Sequence, residues 1–79
     1  MGGAAVTAGR LSTAADSYGE LVGLEPGNAD LRNNFGIILA QMGDLTGALS
    51  QFEAALQSYP AHQAAQRNLE QVRTGLSKR

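Results

Sequence analysis

Gly9, Leu11, Ala14 and Pro26 recur 34 positions later as Gly43, Leu45, Ala48 and Pro60, and Asn34 recurs as Asn68. The same shift lays Tyr18 on Phe52 and Phe35 on Leu69. The matches fall on turn residues and on apolar positions, so the period belongs to the structure and not merely to composition. A repeat of this length describes stacked units, none of which can bury its apolar side alone. Any fold proposed for the chain has to place equivalent residues in equivalent contacts.

The local pattern inside the period is helical. Leu45, Ala48, Leu49, Phe52, Ala55 and Leu56 recur at spacings of three and four, which puts them on one side of a helix. That helix starts after Gly43-Asp44, with Asp44 as N-cap, and Pro60 marks its end. Leu11, Ala14, Ala15, Tyr18, Leu21 and Val22 form an earlier helix that closes before Pro26-Gly27-Asn28. Asn28 caps a third helix, which carries Leu31, Phe35, Ile38, Leu39 and Met42 and stops near Gly43. A final helix over about 62–76 has Ala65, Leu69, Val72 and Leu76 on one side. Residues 3–8 add a short stretch set off by a turn at Gly9-Arg10, bringing the expectation to about five helical segments. Neither period-two alternation nor a β-branched run argues for a strand, so the fold class is all-α.

Composition narrows the functional classes. The chain has 79 residues, enough for one domain, with no cysteine and one histidine, so packing has to do what disulfides or metals do in many small domains. Missing cysteine leaves the compartment open. Seven acids against six bases give a net charge of -1, which provides no field for gathering phosphates and argues against nucleic acid. No apolar run approaches the roughly 20 residues that span a bilayer, and no membrane role is expected.

Chemistry is equally sparse. His62 stands alone beside a Pro-Ala turn and reads as a surface or capping residue, not a catalytic base or metal ligand. The serines lack the context of an activated nucleophile, and the glycines form no phosphate-cradling loop, because their spacing at turns accounts for them. Asp16 and Glu20 lie one helical turn apart and read as an exposed acidic edge. No catalytic residue, metal site or cofactor is expected.

With these residues in register, the segment 29–62 resembles a complete tetratricopeptide repeat. Phe35-Gly36 matches the Leu-Gly pair of the unit's first helix, Gly43-Asp44 its turn, Ala48 and Ala55 its two small residues, Phe52 its aromatic and Pro60 its terminal proline. Arg32 stands where that family often has tryptophan. Carried backwards, the frame puts Met1-Gly2 on the Leu-Gly pair of a truncated first unit, 1–28, in which Leu21 replaces the second small residue. Carried forwards, it makes 63–79 a capping helix in which Glu70 replaces the glycine. The resemblance implies one domain over 1–79, built of antiparallel helix hairpins in a right-handed solenoid.

It also implies a non-catalytic adaptor or scaffold whose partner is a protein or an extended peptide. The groove candidates in this frame are Asn33, Asn34, Ile37, Ala40 and Gln41 from the complete unit, with Arg67, Asn68 and Gln71 from the last helix. Asn34 and Asn68 share a repeat position, where side-chain amides can bond to an extended peptide backbone. A clamp for acidic carboxyl termini, which uses several cations beside asparagines, is not supported, since Arg67 is the only cation in the set. Two other readings accompany this one. One is a homo-oligomerisation module that associates through its N-terminal end, by way of Leu11, Tyr18, Leu21 and Val22, and the other is an accessory segment of a longer enzyme.

Overall fold

The computed structural model describes residues 3–78, with side chains from residue 9 onward. Among these residues the chain forms four helices, α1 (Gly3–Leu24), α2 (Ala29–Gln41), α3 (Leu45–Ser58) and α4 (Gln63–Ser77), and no strand. None of the helices is long and apolar enough to cross a membrane. The expected place of Met1-Gly2 in a Leu-Gly pair lies outside the described residues. Each helix packs mainly on its neighbour in sequence, and α2 also meets α4, whereas α1 touches only α2. The result is a slab of 42 × 33 × 16 Å, thin enough that every helix keeps an open face.

Short polar contacts start and hold the helices. The Asn28 side chain accepts from the Leu31 amide at 3.1 Å, and Asp44 Oδ1 accepts from the Gly47 amide at 2.9 Å. His62 Nδ1 does the same for the Ala65 amide at 3.1 Å, so the period's equivalent residues Asn28 and His62 are both N-caps. Each such cap stabilises its helix by about 1 kcal/mol. Gly43 has φ of +88°, the left-handed backbone that lets α2 end and α3 begin within three residues. The two longer turns are tied by one contact used twice. Arg32 Nε donates to the Pro26 carbonyl at 3.0 Å and, 34 positions on, Gln66 Nε2 donates to the Pro60 carbonyl at 2.7 Å.

The Gly9-Arg10 turn does not form, and the expected five segments become four, because α1 runs unbroken through that position. The cause lies in the neighbouring residue. Where Asp44 caps α3, the equivalent position holds Arg10, which has no acceptor for the free amides of a new helix. Nothing lies within 4 Å of a Cβ built on Gly9, so no packed neighbour forces a turn there either. A glycine inside a helix costs about 1 kcal/mol but does not end it.

The core sits between α2, α3 and α4. Ala29, Ala55 and Ala65 make one cluster, in which the small side chains let the helix backbones approach, with Leu56 against them. Ala48, Phe52 and Val72 make the other, filled in by Ile37, Leu39, Leu45, Leu49, Leu69 and Leu76. Phe52 is the largest fully buried side chain. Its ring lies against Gly36, where a Cβ would stand 2.6 Å from Cε1 and 2.9 Å from Cδ1. The attachment of α1 is lighter: Val22 is its buried side chain, and the Phe35 ring reaches to 3.6 Å from a Cβ position on Gly19.

Gly36→Ala tests the closest of these contacts. It gains about 1 kcal/mol of helix propensity but forces overpacking that costs about 1 to 3 kcal/mol. The urea midpoint, followed by far-ultraviolet circular dichroism, therefore falls in the wild-type background. It rises when the same substitution is made in Phe52→Leu, which removes the opposing ring.

Candidate functional site

Three helices build one concave site. On one side α2 presents Ile37, Ala40 and Gln41, on the other α4 presents Asn68, Gln71 and Val72, and Phe52 of α3 closes the floor between them. The cavity is about 250 Å³. This is smaller than the roughly 300 to 1,000 Å³ of ordinary small-molecule and cofactor sites and suits a side chain better. The lining is apolar at the bottom and carries amides at the rim, with no formal charge. Gln41 and Gln71 are exposed, and their amides form no hydrogen bond among the described residues. No group of three His, Cys, Asp or Glu side chains among the described residues could hold a metal.

Five of the expected groove residues therefore come together, namely Ile37, Ala40, Gln41, Asn68 and Gln71. The two asparagines at one repeat position part company. Asn68 is half-buried and its Nδ2 donates to Asn33 Oδ1 at 2.9 Å, while Asn34 is exposed. Asn33 is itself buried, at 6% exposure, so its carboxamide oxygen takes its protein partner from that bond. The pair joins α2 directly to α4 and holds the two walls of the groove at a fixed distance. Asn34 has no such partner because, among the described residues, no earlier first helix stands beside α2 as α2 stands beside α4. Asn34 and Arg67 each lie about one turn before a lining residue, are exposed, and do not line the cavity.

Phe52 and Val72 were not among the expected site residues, yet they form the floor. Their signal was the helical spacing that marked them as core, since a floor residue is a core residue reached from outside. At the N-terminal end, Leu11 and Tyr18 are half-buried and Leu21 is 40% exposed, but Val22 is buried against α2 and offers nothing to a second molecule. Leu24 is 79% exposed and was missed, although it follows Leu21 by three residues on the same helix.

His62 does more than cap. With Nδ1 accepting from α4, the neutral ring carries its proton on Nε2, which lies 2.8 Å from Asp30 Oδ1 of α2. The imidazole is 12% exposed and the carboxylate 85%, and Tyr59 meets the ring edge-on with centroids 6.0 Å apart. The Asn33–Asn68 and Asp30–His62 pairs thus connect α2 to α4 at two levels.

A family model described as Tetratricopeptide repeat matches residues 5–71. The chain belongs to the tetratricopeptide repeat family. Comparison with curated proteins gives no match. The family assignment agrees with the helix hairpins, the Gly36–Phe52 contact and the recurring caps, and it makes the chain a protein-interaction or scaffold module in general terms. Within such a repeat, Arg32 at the position often held by tryptophan does a different job. Its Nε ties the preceding turn and its Nη1 donates to Gln51 Oε1 of α3 at 3.2 Å.

The Asn33–Asn68 bond gives a measurable asymmetry. Asn68→Ala leaves the buried Asn33 oxygen unsatisfied and costs about 1 to 3 kcal/mol in urea unfolding. The double change Asn33→Ala with Asn68→Ala costs less than the sum of the two single changes.

Proposed function

We propose that the chain is a non-catalytic adaptor that takes an extended, uncharged peptide segment on the groove between α2 and α4, anchored by one large apolar side chain. The observation that carries this reading is the lining itself: an apolar floor of Ile37, Ala40, Phe52 and Val72 beneath the free amides of Gln41 and Gln71. An apolar pocket of about 250 Å³ accepts a side chain, while primary amides on both walls can bond to the flanking peptide groups in either direction. The absence of charge in the lining disfavours an acidic tail as the ligand. Asn68 supports the α4 wall through its bond to Asn33, so in this reading it is a positioning residue more than a gripping one.

Selection from a random peptide library on the immobilised chain tests the proposal. The enriched peptides contain a single large aliphatic or aromatic residue and no surplus of Asp or Glu. Gln41→Ala with Gln71→Ala, both at exposed positions, weakens their binding about tenfold with the fold intact by circular dichroism, taking each lost hydrogen bond at about 0.5 to 1.5 kcal/mol. Affinity changes little between about 50 mM and about 500 mM salt, because screening acts on charges. Enrichment of acidic peptides with steep salt dependence counts against the proposal.

A second reading, self-association through α1, is favoured by a separate observation. This helix packs on α2 alone and leaves Leu21 and Leu24 exposed. The contact pairs like faces and does not run head to tail. In the frame of the repeat, α4 carries Glu70 where α2 has Gly36, and even a Cβ at that position overlaps an aromatic ring packed as Phe52 packs. Sedimentation at low micromolar concentration gives a dimer that Leu21→Glu with Leu24→Glu returns to monomer. A wild-type chain that is monomeric throughout removes this reading and leaves the groove reading untouched.

A further inference from the structure

We propose that the α1 contact between two copies of the chain is antiparallel and set in one register, with Arg10 of each copy against the partner's Glu25 and Leu21 of each against the partner's Ala14. The proposal deepens the self-association reading above and rests on it. Its starting point is where α1 departs from its equivalent in the period, α3. Ala14 keeps the small residue that α3 has at Ala48, but Leu21 stands where α3 has Ala55. Arg10 stands where the turn before α3 has Asp44, and Glu25 where the turn after it has Tyr59. Both alanines of α3 are fully buried. In α1, which meets α2 alone, Ala14 is half-buried and Leu21 is exposed.

These positions form one stripe. Arg10, Ala14, Tyr18, Leu21 and Glu25 follow one another at spacings of three and four, to one side of Gly19 and Val22, which face α2. Asp16 and Glu20 fall outside the stripe by their spacing. It is continuous because α1 runs unbroken through Gly9-Arg10, where a turn would take Arg10 out of line. At the other end the Glu25 amide still bonds to the Leu21 carbonyl at 2.9 Å, so the helical path reaches it. The stripe thus has a cation at one end, a carboxylate at the other, and one small and one large residue between.

Such a stripe is complementary to itself when reversed. A twofold axis between Ser17 and Tyr18 brings each Arg10 to the partner's Glu25, and the same axis sets each Leu21 over the gap beside the partner's Ala14. Symmetry makes both contacts twice. Leu24, 79% exposed, then reaches the hydrocarbon stem of the partner's Arg10. A parallel pair instead opposes Arg10 to Arg10 and Glu25 to Glu25, and leaves the two Ala14 side chains facing each other with nothing to fill the space. Arg10 and Glu25 are exposed, and neither forms an ion pair among the described residues. The Glu25 carboxylate has one long contact within the chain, 3.5 Å from Asn28 Nδ2, which it can give up. A foreign partner places no demand that the two ends of α1 match each other, whereas a second copy does.

Sedimentation of the full chain across the micromolar range tests the register. Arg10→Glu turns both attractions into repulsions and weakens the dimer about tenfold, while Arg10→Glu with Glu25→Arg restores it. Both positions are exposed, so the circular dichroism stays that of the wild type. A second measurement reads the register directly, because the chain has no cysteine of its own. With oxidised glutathione as oxidant, an equimolar mixture of Ala14→Cys and Leu21→Cys chains gives the mixed disulfide in preference to either chain linked to its own kind, since two Ala14 positions lie too far apart along an antiparallel pair. If Glu25→Arg does not fold, Arg10→Glu and the cross-links still decide. A dimer that ignores Arg10→Glu, one that the folded double variant does not restore, or cross-linking of each cysteine chain to its own kind overturns the register and leaves self-association through α1 standing. A wild-type chain that is monomeric throughout overturns both.

Discussion

At residue 36 the backbone of α2 comes so close to the Phe52 ring that a Cβ there would stand 2.6 Å from it. The rest of the core takes its dimensions from that approach. Ala48 and Ala55, fully buried on the same helix as Phe52, keep the neighbouring backbones close at either side of the ring, and the leucines of α2, α3 and α4 fill what remains. Because Phe52 spans from Gly36 to the space between α2 and α4, it also becomes the floor of the groove. The residue that sets helix spacing and the residue at the bottom of the site are one. A change at this position acts on stability and on recognition together.

The two walls of the groove are chemically similar but mechanically different. Ile37 and Gln41 stand on α2, which is packed on three sides by α1, α3 and α4. Gln71 and Val72 stand on α4, held by its packing on α3, by the buried Asn33–Asn68 bond and by the contact of His62 with Asp30. Neither polar link is large by itself, at about 1 kcal/mol net for an ordinary hydrogen bond. In a domain of this size such amounts are a sizeable share of the whole margin, so the α4 wall is the one whose position is open to adjustment.

How much of this could be read beforehand depended on whether a residue's role is local or relational. Asn28, Asp44 and Gly43 were legible because capping and a left-handed turn need only the residue and its next three neighbours. Gly9 was misread for the complementary reason: it matches Gly43 in the period, but Arg10 beside it lacks the acceptor that Asp44 supplies. The small residues facing an aromatic were legible as a packing pattern, and the floor of the site came with them without being recognised as a site. Asn34 and Asn68 looked equivalent because the period makes them so, yet their surroundings differ, since only Asn68 has an Asn33 to bond. The meeting of His62 with Asp30 crosses 32 residues and follows from no spacing rule, because it needs the distance between α2 and α4 to be known first.

The paired turn contacts have a consequence for how such a fold changes over time. Arg32 on the Pro26 carbonyl and Gln66 on the Pro60 carbonyl achieve one result with different side chains, one cationic and one neutral. What selection can act on at this position is therefore a donor of sufficient reach, and mutation can drift among long polar residues there without disturbing the turn. Neighbouring units of one chain can then diverge in surface charge, and with it in the company they keep, while their skeletons remain superimposable.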